Sequence, residues 1–152
     1  MRLTTFTDYS LRTLIYVAHA AEGRATIAEV ARAFEISEHH LVKVVHALGR
    51  MGALRNSRGR GGGLRLAAPP SRINIGEVVR ATESIAVAEC FDAERNTCAL
   101  AGRCRLEGIL HEALGAFHAV LDRYTLEDLL PPPRTANSFL PWPRIPTIPR
   151  TA

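Results

Sequence analysis

Apolar residues recur every three to four positions through the first fifty residues, the period of helices that each bury one face. From about Thr7 to Ala20, Leu11, Leu14, Ile15 and Ala18 share a side, and Gly23 breaks the run. Thr26-Ile27-Ala28-Glu29 opens a second helix as a capping box: the hydroxyl accepts an orphan N–H and the carboxylate reaches back. Ile27, Val30, Ala31 and Phe34 form its buried face. After a three-residue turn, Ser37 can cap a third helix from Glu38 to about Arg50. Two helices joined this closely have the spacing of a helix-turn-helix.

The period then changes. Residues 53–57 and 64–67 read as short strands around the tip Arg58-Gly59-Arg60-Gly61-Gly62-Gly63, where glycine permits the positive φ a tight tip needs. Pro69-Pro70 ends this hairpin, and a fourth helix runs from Ile75 to about Glu83 with Asn74 as its cap. Residues 84–104 are irregular. A long helix is predicted from about Arg103 to Tyr124, where Leu106, Leu110, Ala113, Phe117, Val120 and Tyr124 are spaced 4, 3, 4, 3, 4. That heptad stripe predicts a partner helix and a homodimer. From Pro131 onward, seven of 22 residues are proline, which predicts a disordered tail; Phe139 and Trp142 are its candidate docking residues. The fold class is therefore mainly α: a winged helix-turn-helix with a small β-hairpin wing and a long dimerisation helix. The organisation is 1–83 for DNA binding, 84–104 for the cysteine loop, 105–130 for dimerisation and 131–152 for the tail.

Composition sharpens this picture. The net charge of +4 conceals an asymmetry: residues 1–80 balance at +6, residues 81–130 at −5, and the tail adds three arginines. A basic N-terminal half suits a polyanion. No run of 18 apolar residues occurs and the N-terminus lacks a secretory pattern, so the expectation is a cytoplasmic protein with no membrane span. Three cysteines, an odd number, argue against a disulfide framework.

On the third helix, Leu41, Val44, Val45 and Leu48 point one way, while His39, Lys43, His46 and Arg50 form a stripe on the other side. With Ser37 and His40 at the start of the helix, these are the candidate DNA contacts, since a major groove presents acceptors to such donors. A solvated cationic face is the plainer reading of the stripe alone. Arg58 and Arg60 among glycines shift the balance, because they can approach phosphate or enter a narrow minor groove. No GxxxxGK[ST] pattern is present, and the six histidines lie on helices with no nucleophile or carboxylate arrangement pointing to one site, so no enzyme is expected.

Cys90, Cys98 and Cys104 are spaced C-x7-C-x5-C, without the paired CxxC usual in structural zinc sites. Wider spacing lets three thiolates wrap a larger object such as an iron–sulfur cluster. A structural zinc site in an interaction module is the alternative of another class.

The opening MRLTTFTDYSLRTLIYVA, the segment SEHHLVKVVHALGRMGALRNSRGRGGGLRLA, the helix INIGEVVRATE and the cysteine loop running into CRLEGILHEALGAFHAVLDRYTLEDL resemble the iron–sulfur winged-helix regulators, which include NsrR-type and IscR-type repressors. The resemblance spans about residues 1–130. It implies a homodimer on a pseudo-palindromic operator and a cluster held by Cys90, Cys98 and Cys104, with 4Fe–4S favoured over 2Fe–2S. IscR-type proteins place a histidine three residues after the last cysteine; here that residue is Glu107. The chain is thus closer to the nitric oxide-sensing, NsrR-type branch, in which nitrosylation of the cluster frees the DNA. A cluster-assembly or redox regulator is the alternative within the family. NsrR-type proteins also carry an acidic ligand at the start of the first helix, which implies that Asp8 completes the site from the partner subunit.

Overall fold

A computed structural model describes residues 2–20, 23–57, 59, 61–84, 87–92 and 94–130. Five helices, α1 (Thr5–His19), α2 (Ile27–Phe34), α3 (Glu38–Arg50), α4 (Ile75–Thr82) and α5 (Arg105–Leu121), accompany one hairpin of β1 (Leu54–Ser57) and β2 (Gly63–Leu66). Arg58, Arg60 and the whole tail from 131, with Phe139 and Trp142, lie outside the described residues.

The helix starts follow local chemistry. Thr26 accepts from the Glu29 amide while the Glu29 carboxylate takes the Thr26 N–H at 2.6 Å, so the expected capping box forms. Ser37 caps α3 and Asn74 caps α4, each through its side-chain oxygen. α1 begins two residues before its predicted start because Thr4 provides its cap.

One core joins these pieces. Leu14 and Val17 of α1, Val30 of α2, Leu41, Val44 and Leu48 of α3, Leu64 of β2 and Val78 and Val79 of α4 are all buried in it. α1 also buries Thr7, Ser10 and Thr13; Ser10 and Thr13 donate to the carbonyls of Phe6 and Tyr9, so these hydroxyls remain satisfied inside.

α5 departs from expectation at both ends and in its facing. It starts at Arg105 and stops at Leu121, not Arg103 and Tyr124. Tertiary hydrogen bonds end it: Asn74 Nδ2 donates to the Asp122 carbonyl at 2.8 Å, and Ile75 N–H to the Tyr124 carbonyl at 3.0 Å. The chain then turns back, and Leu126 enters the same core with no exposed surface. Phe117 and Leu121 pack against that core, so Phe117 leaves the expected stripe, and Tyr124 lies beyond the helix. The open face instead carries Leu106, Ile109 and Val120, 58%, 60% and 45% exposed, with exposed Ala113 and Ala116 between them. No residue of α5 is buried. None of the described helices is long and apolar enough to cross a membrane.

Candidate nucleic-acid interface and cysteine loop

α2 and α3 meet across a turn in which Glu35 adopts φ +55°, the left-handed region, before Ile36 drops into the core. Burial of Leu41, Val44, Val45 and Leu48 then leaves His39, His40, Lys43, His46 and Arg50 exposed together with the cap Ser37. The sequence-predicted candidates on this helix therefore share one open surface. His40 also leans on Tyr9 of α1, with ring centroids 6.4 Å apart.

The wing is held beside this helix by the segment that precedes α2. Ala25 pairs with Leu64 as an antiparallel bridge, and Arg24 donates to the Gly62 carbonyl at 2.7 Å. Gly63 is required there: a Cβ would sit 2.7 Å from the Ala25 carbonyl oxygen, at φ +139°. In the hairpin register Arg55 faces Arg65, and both are exposed. Like charges directly opposite destabilise a ladder and are suited to an anionic partner. Arg24 as the wing's anchor was not legible in sequence, because its partner lies 38 residues away.

The cysteine loop is a chain of tight turns. Cys90 lies in the 3-10 turn Glu89–Phe91, Cys98 follows the Thr97 that donates to Glu89 through both N–H and hydroxyl (2.7 and 2.6 Å), and Cys104 is the N-cap residue of α5. Phe91 stacks on His111 of α5 with centroids 4.1 Å apart. These ties draw the halves of the loop together. Burial pushes the Cys90 thiol up, and the Glu107 carboxylate and the thiols of Cys104 and Cys98 raise it further. Glu107, the residue three positions after the last cysteine, thus acts by charge on Cys90, and its carboxylate accepts from the Gly102 N–H at 3.4 Å.

Among the described residues no three His, Cys, Asp or Glu side chains converge closely enough to hold one metal ion. Thiolates on a single zinc lie about 2.3 Å from it and must converge tightly. Three thiols, two of which act by charge on the third, are the donor chemistry that iron–sulfur clusters take from a protein. Asp8 is not brought to these cysteines within its own chain. It is held by Arg12 through contacts of 3.0 and 2.9 Å, beside an open groove of about 510 Å³ that Tyr9, Leu11 and Phe34 help to line.

Glu83 links the loop to α1. Where the loop begins, its carboxylate accepts from the Thr4 N–H at 2.7 Å and the Thr4 hydroxyl at 3.0 Å. Burial pushes this carboxyl up, but hydrogen bonds from Thr4 and Thr7 outweigh it and hold it below the ordinary range.

A helix-turn-helix with a donor-lined second helix, flanked by a basic wing and a thiol loop, defines a DNA-binding transcriptional regulator. Residues 3–132 match the Rrf2 family, described as iron-dependent transcriptional regulators, and the chain belongs to it. The chain is 50% identical over 132 residues to the HTH-type transcriptional regulator NsrR of Bacillus subtilis, covering 86% of this chain and 90% of that one. It is 49% identical over 142 residues to NsrR of Geobacillus kaustophilus, covering 92% and 97%. These relatives are regulators, not enzymes. Among solved structures, T. potens IscR aligns with a TM-score of 0.68 at 22% identity over 85% of each chain. CymR of B. subtilis, the global cysteine regulator, aligns at 0.62 and 29% identity over 85% of this chain and 95% of that one. Both share the mainly helical winged fold.

Proposed function

We propose that the chain is a homodimeric repressor that holds its operator while an iron–sulfur cluster, favoured as 4Fe–4S, sits on Cys90, Cys98 and Cys104, and that releases DNA on exposure to nitric oxide. The observation that carries this reading is the junction at Cys104: the third cysteine occupies the N-cap position of the helix whose apolar face the described residues leave open. The NsrR name of the relatives supports the NO-sensing form.

The chain's residues divide the work. Ser37, His39, His40, Lys43, His46 and Arg50 meet bases and phosphates, and Arg58 and Arg60 extend the contact from the wing. Leu106, Ile109 and Val120 pack against a second copy, which fixes the spacing of two recognition helices. Cys90, Cys98 and Cys104 are the thiolate ligands, and Asp8 of the partner subunit is the fourth. When bound, a cluster with one iron not held by thiolate supplies the atom at which nitric oxide reacts. For Asp8 to serve, it must exchange Arg12 for the partner's loop, which ties one subunit's α1 to the other's cysteines. Loss of that tie frees α1, and with it α3, which contacts α1 through Tyr9 and His40.

The test is anaerobic purification with iron and sulfide analysis and absorption spectra. The parent should be brown, with about four irons per chain, and replacing any one cysteine by Ala should give colourless or unstable protein. Asp8→Ala should keep the cluster but change its spectrum. Colourless parent protein holding stoichiometric zinc would overturn the proposal.

A further inference from the structure

We infer that Val42 reads the 5-methyl group of a thymine in the operator, an inference that rests on α3 entering the major groove. Among the described residues of α3, Leu41, Val44, Val45 and Leu48 are buried, whereas Val42 is 54% exposed. It stands three residues after His39 and four before His46, adjacent to both on the helix surface and beside Lys43. Among the described residues the other large exposed apolar side chains belong to the cysteine loop, to α5 or to the segment just after it, so Val42 is no part of the apolar face assigned to a second copy.

Stability does not account for a valine here. Its β-branch restricts χ1 and lowers helix propensity, and the side chain leaves apolar surface in water without joining the core. A major groove offers donors and acceptors on every pair, and one apolar feature, the methyl group of thymine. The stripe beside Val42 supplies the polar contacts; Val42 supplies an apolar branch that matches the methyl. It is a specificity-determining residue that contributes no charge.

The experiment uses the full chain, purified anaerobically with its iron, and an operator recovered from random duplex DNA by repeated selection. Each thymine is then replaced by uracil, which removes only the methyl. For the parent, uracil at one position, substituted in both half-sites, should weaken binding about sixteenfold, about fourfold for each buried methyl group lost. Val42→Ala should bind the thymine operator about as weakly as the parent binds the uracil one, lose its sensitivity to uracil, and keep the parent's salt slope. Val42→Thr, which keeps one methyl and the branch, should retain the sensitivity. Uracil without effect at every position, or equal sensitivity in Val42→Ala and parent, would overturn the assignment of Val42 alone. Failure to select any specific DNA would overturn the DNA-reading proposal beneath it.

Discussion

Glu35 sits with φ +55° between α2 and α3, a conformation that costs a non-glycine residue about 1 kcal/mol. Asparagine tolerates it better, so Glu35→Asn should raise the melting temperature by a few degrees without altering DNA affinity. Scanning calorimetry beside a binding titration checks both. Gly76 is the opposite case: a Cβ there would collide with the Asp122 carboxylate, which Arg80 holds at 2.5 Å. Gly76→Ala should therefore destabilise by about 1–3 kcal/mol, read as an earlier midpoint in urea. Nothing near Gly76 in sequence announces this contact, because Asp122 lies beyond α5. The caps Thr26, Ser37 and Asn74 were legible because each acts on an amide within three residues. Helical phase already leaves Val42 off the face of Leu41, Val44, Val45 and Leu48, but only its exposure in the fold places it on the open surface beside the donor stripe.

At the scale of elements, α1 to α4 and the hairpin lie close to where periodicity places them, since each buries a face of its own. α5 was harder to read. Leu106, Leu110, Ala113, Phe117 and Val120 make one heptad stripe, and Leu106, Ile109, Ala113, Ala116 and Val120 make another turned by one position. Only packing onto the core decides that Phe117 turns inward and Ile109 outward. Leu106→Asp combined with Ile109→Asp should therefore yield a folded monomer with poor operator affinity, because both sites are exposed in the single chain. Sedimentation that still shows a dimer would refute that face. On α3, Lys43→Ala should weaken binding and lower the slope of log affinity against log salt by about one unit, the signature of one lost phosphate contact.

Across the whole molecule, the Glu83 clasp joins the start of the cysteine loop to the cap of α1, and α1 touches α3 at His40. Because the Glu83 carboxyl is held below its usual value near 4.5, its contribution is fully present above that value and is lost as the pH falls through the lower, folded one. The melting-temperature difference between parent and Glu83→Gln should be constant from neutral pH to about 5 and shrink as the pH falls further through the lowered folded value. The clasp was not legible in sequence, since its ends are 79 residues apart. The clustering of the three cysteines is visible in sequence, but the action of Glu107 on Cys90 and the stacking of Phe91 on His111 depend on how the loop folds onto α5. The coupling of cluster and DNA is tested most directly by titrating nitric oxide, without oxygen, into the iron-loaded dimer on labelled operator DNA while following visible absorption and fluorescence anisotropy together. Anisotropy should fall as the cluster absorption bleaches, with DNA fully released once nitrosylation is complete. An operator complex that survives complete bleaching would contradict it.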